Sequence, residues 1–187
     1  MSSKGLLALS LALSMALAGC EYVRLLRPQS LKQLSPEMVA LVNELPEVDE
    51  PNKAIIGRLF PHGGLSRAEL GKDGVFRDAV AVPKDQYIWT PAIIVMERPG
   101  KLELDFTNDD NVHHMAFLPT EGDRQVLDLP VHTRGRAKLD FPHPGLYWFG
   151  CPVSNHAGRG MLGLIIVKGE TPAAAKLHRP PQPRPDS

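Results

Sequence analysis

The amino-acid sequence predicts an all-β fold, a two-sheet sandwich, with a short N-terminal helix and a tether ahead of it. Three observations carry that prediction. From Val75 onward, apolar residues recur at every second position in short runs, the period of a strand with one buried face. Turn signals separate these runs at fairly regular spacing, as they do in sandwiches. Glycine and proline number 16 and 18, a loop-rich composition that suits β-structure better than a helical bundle.

The elements follow in chain order. Lys4 precedes an apolar run over residues 6–18, too short to span a bilayer and right for the core of a signal peptide. The run ends in Leu17-Ala18-Gly19-Cys20, which resembles a bacterial lipobox. The resemblance implies that residues 1–19 are a lipoprotein signal peptide and that Cys20 is the first mature residue, acylated on sulfur and amine. Two or more chains anchor stably where one binds marginally, so the protein is expected on the periplasmic face of a bacterial membrane. About 165 residues then remain, enough for one domain with its own core.

Ser35 reads as a helix N-cap with Pro36 in the first helical position. Met38, Leu41, Val42 and Leu45 follow as one apolar stripe, and Pro46 ends it; the stripe is expected to pack on the sandwich. Residues 47–74, acidic and then rich in Gly and Pro, read as loop. Residues 20–74 are therefore expected to form an anchor, a spacer and a short helix. The β-domain is expected over residues 75–168. Within it, residues 75–82 and 87–96 are β-rich, and Leu102, Leu104 and Phe106 alternate with Lys101, Glu103 and Asp105. Met115 and Phe117 continue that rhythm after a turn at residues 108–111, and Leu139 and Phe141 repeat it. Pro144-Gly145 is a turn before an aromatic strand over residues 146–151, and Leu162–Val167 is the last strand. Residues 169–187, Pro-rich and charged, read as a disordered tail.

Lys+Arg and Asp+Glu number 21 each, and the leader removes only Lys4. Such a balance, with no basic patch, gives no electrostatic footprint for nucleic acid. Cysteine use is more telling. With Cys20 acylated, Cys151 is the one remaining thiol, a liability in an oxidising compartment unless it is buried or bound to a metal.

Cys151 opens the informative segment, Tyr147-Trp148-Phe149-Gly150-Cys151-Pro152-Val153-Ser154-Asn155-His156-Ala157-Gly158-Arg159-Gly160-Met161. A thiolate, an imidazole and a thioether at five-residue steps form a soft ligand set that selects copper. A trigonal His₂Cys site with a weak axial Met is the blue-copper arrangement, and it needs a second histidine from elsewhere. His113 supplies one, at the start of the Met115/Phe117 strand. Each residue alone has a blander reading: Met161 as a core gap-filler, His156 as a surface histidine, Cys151 as an inert buried thiol. All of them at this spacing, after an aromatic strand and beside a second histidine, are improbable together. His62, His132, His143 and His178 have no partner at ligand spacing and read as loop or surface residues.

The run Pro144-Gly145-Leu146-Tyr147-Trp148-Phe149-Gly150-Cys151, the C-x₄-H-x₄-M loop and the strand Met161-Leu162-Gly163-Leu164-Ile165-Ile166-Val167 resemble the cupredoxins, the plastocyanin, azurin and rusticyanin-like proteins. Asn108-Asp109-Asp110-Asn111-Val112-His113 is similar to their first-histidine loop. The resemblance spans about residues 75–168. It implies a Greek-key sandwich that holds one type 1 copper, with His113, Cys151 and His156 equatorial and Met161 axial. It also implies single-electron transfer with a redox protein such as a c-type cytochrome or a quinoprotein dehydrogenase. His156 is expected at the exposed edge of the site, inside an apolar collar of Pro152, Val153 and Ala157.

His113 and His114 compete for the upstream position. In the family the ligand is followed by Asn or Ser, then an apolar strand. His113 as ligand puts His114 at that second position, and alternation sets His113 on one face with Met115 and Phe117. His113 is the expected ligand on these grounds, with His114 its competitor. Pro152, which lacks an N–H just after the cysteine, and the dry surround of Phe117, Tyr147 and Phe149 both favour reduced copper. A fairly high potential is expected.

Other copper functions fit less well. Multicopper oxidases and copper nitrite reductases need further ligands, usually His-x-His pairs, and the sequence has only the adjacent His113-His114. A mononuclear enzyme resembling nitrosocyanin needs a carboxylate and a further histidine at the metal. A copper storage or delivery protein would hold Cu(I) without intense colour.

Overall fold

Strand β5 (Gly100–Asn108) shows how the alternation becomes structure. Leu102, Leu104, Phe106 and Asn108 are buried, and the residues between them are not. The structure is a computed structural model that describes residues 36, 40–41, 50–119 and 125–169. Among the described residues the other strands are β1 (Leu65–Arg67), β2 (Glu69–Leu70), β3 (Phe76–Val82), β4 (Ile93–Met96), β6 (His114–Leu118), β7 (Gln125–Leu129), β8 (Arg134–Phe141), β9 (Gly145–Gly150) and β10 (Leu162–Val167). They form a six-stranded sheet in the order β1-β4-β10-β9-β6-β7 and a four-stranded sheet in the order β2-β3-β5-β8. The chain switches sheets after β1, β3, β4, β5, β7 and β8, so the inner faces of both sheets share one core, as in Greek-key sandwiches.

Two units make up the chain, Met1–Gly57 and Arg58–Ser187, and among the described residues every strand lies in the second. Within it β10 lies between β4 and β9, pairing parallel with one and antiparallel with the other. All six of its residues are buried. Gly163 stands opposite Phe149 in that ladder. A Cβ at position 163 would lie 2.1 Å from the Phe149 ring. Glycine in a strand costs roughly 0.5–1 kcal/mol, while burying an aromatic ring contributes about 1.5–3 kcal/mol, so the exchange favours glycine. The admitted ring meets Trp89 and Phe106 at centroid distances of 5.8 and 6.5 Å, which places a rigid aromatic layer directly before Cys151.

The sequence reading of residues 47–74 as loop is corrected. Helix α1 (Glu50–Gly63) has Pro51 in its first turn, where a missing N–H costs nothing. Gly64 at φ 75° ends it, its N–H donating to the Phe60 carbonyl at 2.9 Å. Strands β1 and β2 follow, so the sheets begin at Leu65 rather than at Val75. These strands are three and two residues long, too short to show a period. The helix expected over residues 35–45 lies outside the described residues except for Pro36, Ala40 and Leu41, which are helical. Cys20, the leader and residues 170–187 also lie outside them. No described helix is long and apolar enough to cross a membrane.

Candidate metal centre

The upstream histidine comes from β6. His114, Ala116 and Leu118 are buried along this strand, while Met115 and Phe117 are only half-buried. The sequence reading had the opposite phase, with His113, Met115 and Phe117 turned inward, and the structure corrects it. His113 is exposed, its Nε2 2.6 Å from the exposed Asp128 carboxylate. His114 is fully buried, with Nδ1 3.8 Å from Cys151 Sγ. Pairing decides this. β6 is in register with β7 over five residues and meets β9 through Phe117 and Gly150, and one residue of slip exchanges the two faces. The small Ala116 takes the core position that side-chain size alone would give to Met115 or Phe117.

The loop before His114 is held from within. Asn108 is fully buried, and its Nδ2 donates to the carbonyls of Val112, Leu129 and Pro130 at 2.9, 2.9 and 3.1 Å. Its Oδ1 accepts the Asp110 N–H at 3.0 Å. Asp110, 2% exposed, puts Oδ2 2.9 Å from His114 Nε2. Its Oδ1 accepts the N–H groups of Asp85 at 2.9 Å and Asn111 at 2.8 Å. Burial pushes the Asp110 carboxyl up, but the hydrogen bonds from His114, Asp85 and Asn111 outweigh it and hold the group below the usual carboxylate range.

The other two donors come from the loop after β9. The Cys151 N–H donates to the Met161 carbonyl at 3.2 Å, the Ala157 N–H to the Cys151 carbonyl at 2.9 Å, and the Met161 N–H to the His156 carbonyl at 3.0 Å. Ser154 and Asn155 take left-handed backbone, φ 43° and 59°, and the turn they make closes with the His156 N–H on the Val153 carbonyl at 2.8 Å. His156 Nδ1 thereby comes 3.5 Å from Cys151 Sγ. Burial pushes the Cys151 thiol up, against the backbone N–H groups of Met115 and Val153; the Met115 N–H lies 3.4 Å from Sγ. Burial also pushes the His156 imidazole down, and the neighbouring His114 and the Arg159 guanidinium add to it.

His114, Cys151 and His156 thus bring one sulfur and two imidazole donors within 4.8 Å of one another, all buried. Met161 is fully buried in the same apolar cluster as Cys151 and Phe149. A dry thiolate with two imidazoles and a thioether in the same cluster fits copper; structural zinc takes four Cys, His or carboxylate donors. Together these side chains fit a single copper site within the two-sheet sandwich.

Sequence reasoning missed two residues here. The Tyr87 ring lies 4.6 Å from His156 and 6.2 Å from His114, and the Arg159 guanidinium stands 5.6 Å over it. His156 is therefore only 2% exposed, while Tyr87 is 37% exposed. The expectation that His156 forms the exposed edge is corrected, because Tyr87 covers it. No period marks Tyr87, which follows a turn closed by the Gln86 N–H on the Pro83 carbonyl. Asp110 was the other, and its signal was the Asn-Asp-Asp-Asn run four residues before His114. His62, His132 and His143 are exposed, as expected of loop or surface positions.

A family profile described as PQQ-associated matches residues 34–185. No curated protein matches the sequence. Among solved structures, dithionite-reduced auracyanin from Roseiflexus castenholzii is similar at 14% identity and a TM-score of 0.45, over 50% of this chain and 97% of that one. Auracyanin A from Chloroflexus aurantiacus, a blue copper protein, is similar at 13% identity and a TM-score of 0.43, over 51% and 100%. The metal-binding domain of a Cu(I)-exporting P-type ATPase from Streptococcus pneumoniae is similar at 16% identity and a TM-score of 0.45, over 57% and 98%.

Proposed function

This chain belongs to the PQQ-associated family, and we propose that it is a type 1 copper electron carrier that accepts single electrons from a PQQ-dependent dehydrogenase. The observation that carries the reading is the buried cluster of His114, Cys151 and His156. Bound copper supplies a one-electron couple, and a reduced quinone cofactor must give up two electrons, one at a time to such an acceptor. His114, Cys151 and His156 would hold the copper, and Met161, buried in the same cluster as Cys151, would supply a weak thioether donor. The backbone bonds that close the 151–161 loop, together with the Asn108 stitches behind His114, hold the donors in place as the electron arrives, so little has to reorganise.

The way out of the site runs through Tyr87, whose ring lies on His156 and is the part open to solvent. Transient redox contacts are small and release quickly, and a chain with no formal net charge gains little long-range steering. A lipid on Cys20 would compensate by concentrating the protein at the periplasmic face of the membrane, beside its partner. A c-type cytochrome is the onward acceptor that fits this chemistry. Anaerobic mixing of the oxidised copper protein with a substrate-reduced PQQ-dependent dehydrogenase is expected to bleach the blue band. A band that persists while cytochrome c is reduced by the same enzyme would overturn the partner assignment.

A further inference from the structure

Asp110 does two things that no other described residue does. One oxygen meets the far nitrogen of the His114 imidazole, and the other accepts two backbone N–H groups, one of them from Asp85. Asp85 sits at φ 59° in the turn two residues before Tyr87. A single buried carboxylate therefore ties the upstream donor to the segment that covers the downstream one. An amide could not replace it atom for atom, since Asn offers one acceptor oxygen where the carboxylate offers two.

Charge matters as much as shape. A cupric ion, the Cys151 thiolate and the Asp110 carboxylate sum to zero. After reduction the same group carries one uncompensated negative charge in a buried place, and buried unpaired charge is costly. A carboxylate behind a ligating histidine also fixes its tautomer and raises its basicity as a ligand, which again favours the higher oxidation state. Both effects oppose the dry surround of Cys151, which favours reduced copper.

We infer that Asp110 is a positioning residue that lowers the potential of the copper couple, by holding His114 as the Nε2–H tautomer and by placing a fixed negative charge behind it. The inference rests on the copper reading of the cluster. The charge stabilises oxidised copper by at least tenfold over reduced copper, which is 59 mV for one electron. The tautomer leaves the Nδ1 lone pair facing Cys151 Sγ before any metal arrives.

Two measurements test this on the full chain. Redox titration of the copper-loaded protein and of Asp110→Asn, followed by the visible and EPR spectra, is expected to show the variant's potential at least 59 mV higher. A residue that only braced the loop would lower the melting temperature and leave the potential alone, and an unchanged potential would overturn the inference. The second measurement needs neither metal nor variant: ¹⁵N NMR of the metal-free protein is expected to find the His114 proton on Nε2. A proton on Nδ1 would overturn the inference even if Asp110→Asn fails to fold. If the copper-loaded wild type lacks a blue band, the failure lies in the type 1 copper reading, since the tautomer measurement stands independently of it.

Discussion

Cys151→Ser is expected to abolish the blue band and to lower copper affinity by more than about 100-fold. Removing a residue that merely supports a ligand costs 10–100-fold, and here the thiolate itself is lost. A serine hydroxyl is a poor donor to Cu(I), and it cannot give the sulfur-to-copper charge transfer that colours such sites. The metal-free variant is expected to fold. Cys151 is fully buried, so the new hydroxyl costs roughly 1–3 kcal/mol when left without a full set of partners, less than the stability of an ordinary domain. Visible spectroscopy against a competing chelator, with circular dichroism to establish the fold, is the measurement. A blue Cys151→Ser protein would exclude Cys151 as the ligand.

The second large effect separates two adjacent histidines. His114→Ala removes one of the three converging donors and strips Asp110 of its buried partner, a loss of roughly 1–3 kcal/mol for a buried group left unsatisfied. The blue spectrum is expected to be lost or replaced, and the melting temperature to fall. His113→Ala removes only an exposed pairing with Asp128, worth about 0–1 kcal/mol, and is expected to keep both colour and stability. Parallel copper titrations and melting curves of the two variants decide between them. The reverse pattern would return the ligand to His113 and contradict the register of β6.

These neighbouring positions also show where a sequence stops being legible. The long strands were readable because their alternation is chemical: Leu102, Leu104 and Phe106 face the core and the charged residues between them do not. Cys151 and His156 were readable because both lie in one loop, where sequence spacing fixes spatial distance. His114 was not, because β6 is apolar on both faces and its phase is set by pairing with β7 and β9, a long-range fact. The cover over His156 depends likewise on Tyr87, 69 residues earlier in the chain, and on a turn that Asp110 holds from a third segment. The helix α1 was hidden by Pro51 and Pro61, residues that read as loop but are tolerated at one end of the helix and in its last turn.

On the function proposed above, His114, Cys151 and His156 hold one type 1 copper that cycles between two oxidation states. The most direct test of that function is the visible and EPR spectrum of the copper-loaded protein, oxidised and then reduced. One copper per chain is expected, with an intense blue oxidised form, a single axial or rhombic cupric signal, and reversible bleaching on reduction. A protein that holds copper only as colourless Cu(I), or gives a pale cupric signal without the intense band, would contradict it.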